Sequence, residues 1–159
     1  MKTIVIGVGD MAATNIPGEV IKTLGLGSCV AVVMLHPGTR TVGMVHVALP
    51  ESSIDAARAQ AKPGYFADTG IPALIQQMNT NGTCRELIVK LAGGANVLDP
   101  NDRFNIGKRN ILMIKKMLWS YGLGPRSEDV GGHISRSVAV DTERGRVIIT
   151  SAGRGSWEI

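Results

Sequence analysis

Aromatic side chains are scarce in this chain of 159 residues, which holds two Trp, two Tyr and two Phe. A surface for single-stranded nucleic acid needs such rings interleaved with basic residues, because bases stack on them. The net charge of +4 draws the chain towards acidic surfaces. Its densest basic cluster, Lys108, Arg109, Lys115 and Lys116, carries no aromatic ladder, so it reads as a solvated helix face and nucleic acid is not an expected partner. Cysteine is also rare: Cys29 and Cys84 stand far apart and read as two free thiols, with Cys84 an incidental, exposed one in a turn after Asn81-Gly82-Thr83. Neither forms a Cys-x-x-Cys pair, and His36, His46 and His133 are scattered, so no metal site is expected. Long apolar runs are missing. The opening Met1 to Gly7 carries one lysine and an apolar stretch too short for a signal peptide or a bilayer span, which predicts a cytoplasmic protein without membrane insertion.

Charged residues at 19% and seven prolines are too few for a disordered chain. With 44% hydrophobic residues, the chain can bury one sizeable core, which predicts a single domain over residues 1–159. Apolar runs rich in Val and Ile predict strands at Thr3 to Val8, Val30 to Leu35, Val42 to Leu49, Leu87 to Ala92, Ser137 to Val140 and Val147 to Thr150. Side chains alternate sides along a strand, so Met44, His46 and Ala48 share one face and Val45, Val47 and Leu49 the other. A helical period marks Phe66 to Asn79 and Asn105 to Tyr121. Pro72 places the start of the first helix near Ile71 or kinks it there, and Asp68 and Thr69 read as caps. Gly122 ends the second helix. Pro50 to Gly64 reads as a long loop of the kind that forms lids. The tail reads as a closing strand followed by a mobile Gly153-Arg154-Gly155 end. Runs of strands with two main helices predict an α/β chain of the α+β type, a layered sandwich with a largely antiparallel or mixed sheet.

Cys29 follows a Gly25-Leu26-Gly27-Ser28 turn at the start of an apolar strand, where small residues leave room for a substrate. A thiol needs help to react near neutral pH, from an imidazole, a positive field or backbone donors. If Val30 to Leu35 and Val42 to Leu49 pair about the Pro37-Gly38 turn, His46 comes near the same end of the neighbouring strand. Spacing alone leaves the ordinary alternative standing, because a cysteine at a strand start is more often a small buried hydrophobe and a lone histidine a structural residue. Gly7-Val8-Gly9-Asp10 loosely resembles a dinucleotide fingerprint, but Ala13 to Gly18 cannot form the crossover helix that such a site needs. Gly93-Gly94 reads as backbone accommodation at a strand end.

Thr23, the segment Leu26-Gly27-Ser28-Cys29-Val30 and the segment His46-Val47-Ala48-Leu49-Pro50 resemble, in this order, the signature of the CheD family of chemoreceptor glutamine deamidases. Pro63 to Thr69, Lys90 to Ala95, Asn105 to Asn110 and Glu128 to Gly132 extend the resemblance over nearly the whole chain. It implies a fold similar to the catalytic domains of deamidating toxins and a Cys29, His46 and Thr23 triad without a cofactor. Cys29 would attack a glutamine carboxamide, His46 would carry the proton, and Thr23 would orient the imidazole. The backbone amides around Gly27, Ser28 and Cys29 are the candidate oxyanion donors, with Ser28 leaning towards a turn former, and Tyr65 is a candidate for the substrate groove.

The resemblance further implies methyl-accepting chemotaxis receptor cytoplasmic domains as substrates, receptor methyl-ester hydrolysis as a second activity, and a CheC-type phosphatase as partner. Phe104, between polar neighbours, would dock that partner or fold inward; the chain alone would be a monomer. Two other classes stay open: a binding module that regulates a phosphatase, and a cysteine amidase for another substrate.

Overall fold

The computed structural model describes residues 2–80, 84–97, 101 and 103–159. Asn81, Gly82 and Thr83, read from sequence as a turn before Cys84, and Asp102 beside Phe104 lie outside the described residues. In chain order come β1 (Lys2–Ile6), β2 (Met11–Thr14), β3 (Glu19–Leu26), β4 (Val30–His36) and β5 (Thr41–Val47). The short α1 (Ala56–Ala61) and α2 (Ala67–Gln77) precede β6 (Ile88–Gly93) and α3 (Ile106–Ser120). The chain closes with β7 (Pro125–Val130), β8 (Arg136–Asp141), β9 (Val147–Ser151) and β10 (Gly155–Glu158).

The strands form two five-stranded sheets, β1-β3-β8-β9-β10 and β2-β5-β4-β6-β7. The pairs β1–β3 and β6–β7 are parallel and the other ladders antiparallel, so both sheets are mixed. The α+β layered architecture expected from the sequence is the one observed. The second sheet is the middle layer. Val30, Val32, Met34, Val45 and Val47 on one of its faces pack with Ile71, Leu74, Ile114 and Leu118 of α2 and α3. Ala31, Val33, Val42 and Met44 on its other face meet Ile21, Leu26, Val138 and Ile149 of the first sheet. β4 is covered on both faces and is therefore apolar from Val30 to Leu35, whereas β8 and β9 alternate because only their inner faces are covered. Truncating a fully buried side chain such as Ile114 to alanine would cost roughly 2–5 kcal/mol.

Several expectations need correction. Of the two alternatives for the first helix, the start near Ile71 is wrong, because α2 begins at Ala67 and carries Pro72 within it. Asp68 and Thr69 do not cap its amides. The Asp68 carboxylate takes the Ser52 N–H and hydroxyl, and the Thr69 hydroxyl donates to the Pro63 carbonyl. The Pro50 to Gly64 stretch contains α1 and two single helical turns instead of being one open loop. The tail is held rather than mobile. Gly153 and Gly155, at φ of 75° and 84°, reverse the chain so that β10 pairs with β9. Trp157 Nε1 then donates to the Asp129 carboxylate across the sheets. Cys84, read as an exposed thiol in a turn, is half-buried at the edge of the helix-side core, with its Sγ 3.6 Å from the Tyr121 carbonyl oxygen.

Candidate active site

The site begins with β3, where alternation points Ile21 and Thr23 inward and Lys22 and Leu24 outward. Thr23 is thus a polar residue at a core position, fully buried. A buried hydroxyl needs partners. Thr23 Oγ1 lies 2.8 Å from the Ile6 carbonyl oxygen of β1 and 2.7 Å from His46 Nδ1 of β5. A carbonyl can only accept, so the single hydroxyl proton goes to Ile6 and the imidazole must donate from Nδ1. That fixes the tautomer and leaves the lone pair on His46 Nε2. Nε2 is buried and has no hydrogen-bond partner among the described residues, the Cys29 sulfur included.

The β4–β5 hairpin supplies the nucleophile side. Ala31 stands opposite His46 and Val30 opposite Val47, in a hairpin that turns through residues 37–40. Opposed residues share a face, and so do residues two apart on one strand. Cys29, just before β4, therefore falls on the His46 side and packs against the core between the sheets. Burial pushes the Cys29 thiol up, opposed by its own backbone N–H. Burial also holds His46 low, opposed by the Asp10 carboxylate. Both directions favour the uncharged thiol and imidazole over a preformed ion pair.

The loop bearing Cys29 is fixed from one side. The Ala95 N–H donates to the Gly27 carbonyl and the Gly94 N–H to the Cys29 carbonyl, each at 2.8 Å. Gly93, at φ 116°, passes so close that a Cβ would collide with the Cys29 carbonyl oxygen. The Gly93-Gly94 pair thus serves backbone approach, as read from sequence. Asn110 of α3, fully buried, donates from Nδ2 to the carbonyls of Ser28 and Ala48 at 3.0 Å each.

Two polar residues at the site lacked a role in the sequence reading, Asn110 and Asp10. Asn110 interrupts the otherwise apolar buried stripe Ile114 and Leu118 on α3, and that interruption was its signal. The turn read as a weak dinucleotide fingerprint instead buttresses the histidine. The Gly9 N–H donates to the His46 carbonyl at 2.8 Å, and the His46 N–H donates to the Asp10 carbonyl at 3.1 Å. The Asp10 carboxylate accepts from the Gly7 N–H at 2.9 Å and from Lys62 Nζ at 3.1 Å, which hold it below its usual range.

Gly27 and Ser28 line a groove of about 330 Å³ with Gly25, Val97, Ile106 and Ser135. Phe104 stands on its wall, 71% exposed rather than folded inward. Tyr65 lies elsewhere: its carbonyl holds the amides of Ala48 and Leu49, and its ring sits under Arg58 and edge-on to Phe66. The basic cluster is a helix face, with Lys108, Arg109 and Lys116 exposed and Lys115 paired to Glu128 at 3.0 Å. Among the described residues, no group of three His, Cys, Asp or Glu side chains could hold a metal ion, and no helix is long and apolar enough to cross a membrane.

A family model described as CheD chemotactic sensory transduction matches residues 48–151. The probable chemoreceptor glutamine deamidase CheD of Syntrophotalea carbinolica is 48% identical over 162 residues, covering 100% of both chains. The chemoreceptor glutamine deamidase CheD of Thermotoga maritima is 41% identical over 152 residues, covering 95% of this chain and 93% of its own. Among solved structures, the Bacillus licheniformis hypothetical protein YfiH aligns with a TM-score of 0.43 at 12% identity, over 76% of this chain and 49% of that one. The two deamidase alignments extend over the segments that carry Thr23, Cys29 and His46, and together with the family match they place this chain in the CheD family of chemotactic sensory transduction proteins.

Proposed function

We propose that this chain deamidates glutamine side chains of chemoreceptor cytoplasmic domains through a Cys29 thioester. The observation that carries the reading is the buried Thr23–His46 bond, which presents a basic, unpartnered Nε2 on the face shared with Cys29. The large majority of buried side-chain nitrogens are hydrogen-bonded, so an unpartnered Nε2 beside a thiol calls for a role. The names of the relatives supply the substrate class.

In the first half-reaction the thiol proton moves to His46 Nε2 while Sγ forms a bond to the carboxamide carbon. Because both groups rest neutral, the transfer accompanies attack, and Sγ and Nε2 close to hydrogen-bond reach in the substrate complex. The oxyanion takes donors from the backbone amides of Ser28 and Cys29. The C–N bond then breaks, Nε2 returns the proton to the departing nitrogen, and ammonia leaves. A water attacks the thioester, gives its proton to Nε2, and the C–S bond breaks to release glutamate and the reprotonated thiol. A methyl ester at the same carbonyl would follow the same path with methanol leaving.

Phe104 and the adjoining groove would receive a CheC-type phosphatase, and the chain alone would act as a cytoplasmic monomer. The test is mass spectrometry of chemoreceptor cytoplasmic fragments after incubation with wild type, Cys29→Ala and His46→Ala. Conversion of amide to acid at particular glutamines by wild type alone is expected. Equal conversion by all three would sink the proposal.

A further inference from the structure

We propose that Asn110 is a positioning residue that orients the Ser28–Cys29 peptide, so that its N–H is aimed at the oxyanion formed when Cys29 attacks a carbonyl. The inference rests on the reading of Cys29 as the nucleophile.

The β4–β5 ladder ends at the pair Val30 and Val47. Beyond it, Cys29 and Ala48 would be free to separate at the point where nucleophile and base must stay in register. Asn110 supplies the missing rung. Its two amide protons go to Ser28 O, one residue before the nucleophile, and to Ala48 O, two residues after the base.

The grip also sets a peptide plane. In a trans peptide the C=O of one residue and the N–H of the next point in opposite directions. Gly27 O is held by Ala95, Ser28 O by Asn110 and Cys29 O by Gly94, so three successive carbonyls of the loop are each tied to a partner. The Ser28 N–H then points away from Ala95 and the Cys29 N–H away from Asn110, and the Cys29 N–H turns towards its own sulfur. Two backbone donors beside a nucleophile, held before substrate arrives, are what a tetrahedral oxyanion requires.

Asn110 is a poor choice for packing alone. Its Oδ1 is buried without a partner among the described residues, and an unsatisfied buried acceptor is a standing cost. The buried positions that follow on the same helix face, Ile114 and Leu118, are apolar. A residue that carries such a cost inside a well-packed layer is there for what its Nδ2 holds.

The test separates chemistry that passes through an oxyanion from chemistry that does not. In a Cys84→Ser background, Cys29 is acylated with p-nitrophenyl acetate, whose attack creates an oxyanion, and alkylated with iodoacetamide, whose displacement creates none. In Asn110→Leu the acylation rate per thiolate is expected to fall about 100-fold while the alkylation rate per thiolate stays within about threefold. Unchanged acylation, or a parallel fall in both rates, would overturn the proposal. Asn110→Ser, which leaves space for a water, is the second variant should Asn110→Leu not fold. If neither folds, the side chain is structural and the positioning role is wrong. Cys29→Ala on chemoreceptor fragments reads the parent hypothesis separately, because retained deamidation there removes the nucleophile itself, whereas a dead Cys29→Ala beside a fully active Asn110→Leu removes only this inference.

Discussion

The Thr23 hydroxyl and the His46 imidazole meet at 2.7 Å across two different sheets, and the Ile6 carbonyl on the far side of the hydroxyl decides which of them donates. Thr23→Val removes the acceptor for Nδ1–H and leaves a buried donor unsatisfied, a cost of roughly 1–3 kcal/mol. The imidazole then loses its preference for the tautomer with a free Nε2. Deamidation is expected to fall about 10- to 100-fold in Thr23→Val, with Thr23→Ser retaining most of it. Nitrogen-15 shifts of His46 would report the tautomer directly, and a Thr23→Val protein with unchanged shifts and turnover would contradict the assignment.

Cys29 and His46 shift in opposite directions, and both shifts favour the uncharged form. Iodoacetamide alkylation of Cys29 in a Cys84→Ser background should climb with pH through the region above 9.0, without a plateau near neutrality. A plateau at pH 6 to 7 would mean a preformed ion pair of the papain type, whose thiol titrates at about 3–4.

The same shifts set a stability window. Below the imidazole's ordinary value of 6.5, the unfolded chain binds a proton at His46 that the folded chain refuses, so stability falls as pH drops through that value. Above 9.0 the unfolded thiol ionises while the folded one does not, so stability falls again as pH rises. Thermal melts of wild type and His46→Gln between pH 5 and 7 test the acid side. The variant is expected to lose less stability across that range.

Gly93 and Gly18 both have positive φ, at 116° and 86°, but only Gly93 is crowded. Gly18→Ala meets open space and should cost about 1–2 kcal/mol from the backbone alone. Gly93→Ala meets the Cys29 carbonyl and should cost more than about 3 kcal/mol, with a loss of Cys29 acylation that Gly18→Ala does not share. Equal melting temperatures for the two variants would contradict this account of the loop.

Asp129 of β7 accepts from the Arg136 guanidinium of β8 at 3.0 Å and from Trp157 of β10, so one carboxylate ties the two sheets together. Arg136 is buried, and Asp129→Ala strands its charge, with an expected loss of roughly 3–5 kcal/mol by denaturant unfolding. A loss below about 1 kcal/mol would show that the charge finds water or another partner.

The parts of this architecture legible in the sequence were those whose residues announce burial. β4 is unbroken apolar from Val30 to Leu35 and β5 and β6 are largely apolar because all three lie in the middle layer, and Pro37-Gly38 marks the hairpin that joins β4 to β5. β7 reads Pro-Arg-Ser-Glu-Asp-Val and β10 reads Gly-Ser-Trp-Glu, polar segments recruited at sheet edges by pairing rather than by hydrophobicity, and no local pattern marks them. β3 alternates, but Gly25, in a bulge between Thr23 and Leu26, breaks the period. Within the site, Cys29 and His46 stood out by residue type and spacing, and Thr23 through the family resemblance. Asn110 and Asp10 act through contacts with chain segments distant in sequence, and only the folded arrangement reveals what they hold.

β4 pairs with β5 on one edge and β6 on the other, and its two faces are sealed by separate cores. Its amides from Ala31 to Leu35 have no local opening that would let solvent in, so their hydrogen exchange should track global unfolding. Cys29 is thus mounted at the end of a strand paired on both edges and covered on both faces. Turnover cannot rely on motion of that strand, so rotation of the Cys29 side chain and approach of the substrate glutamine must bring the reacting atoms together.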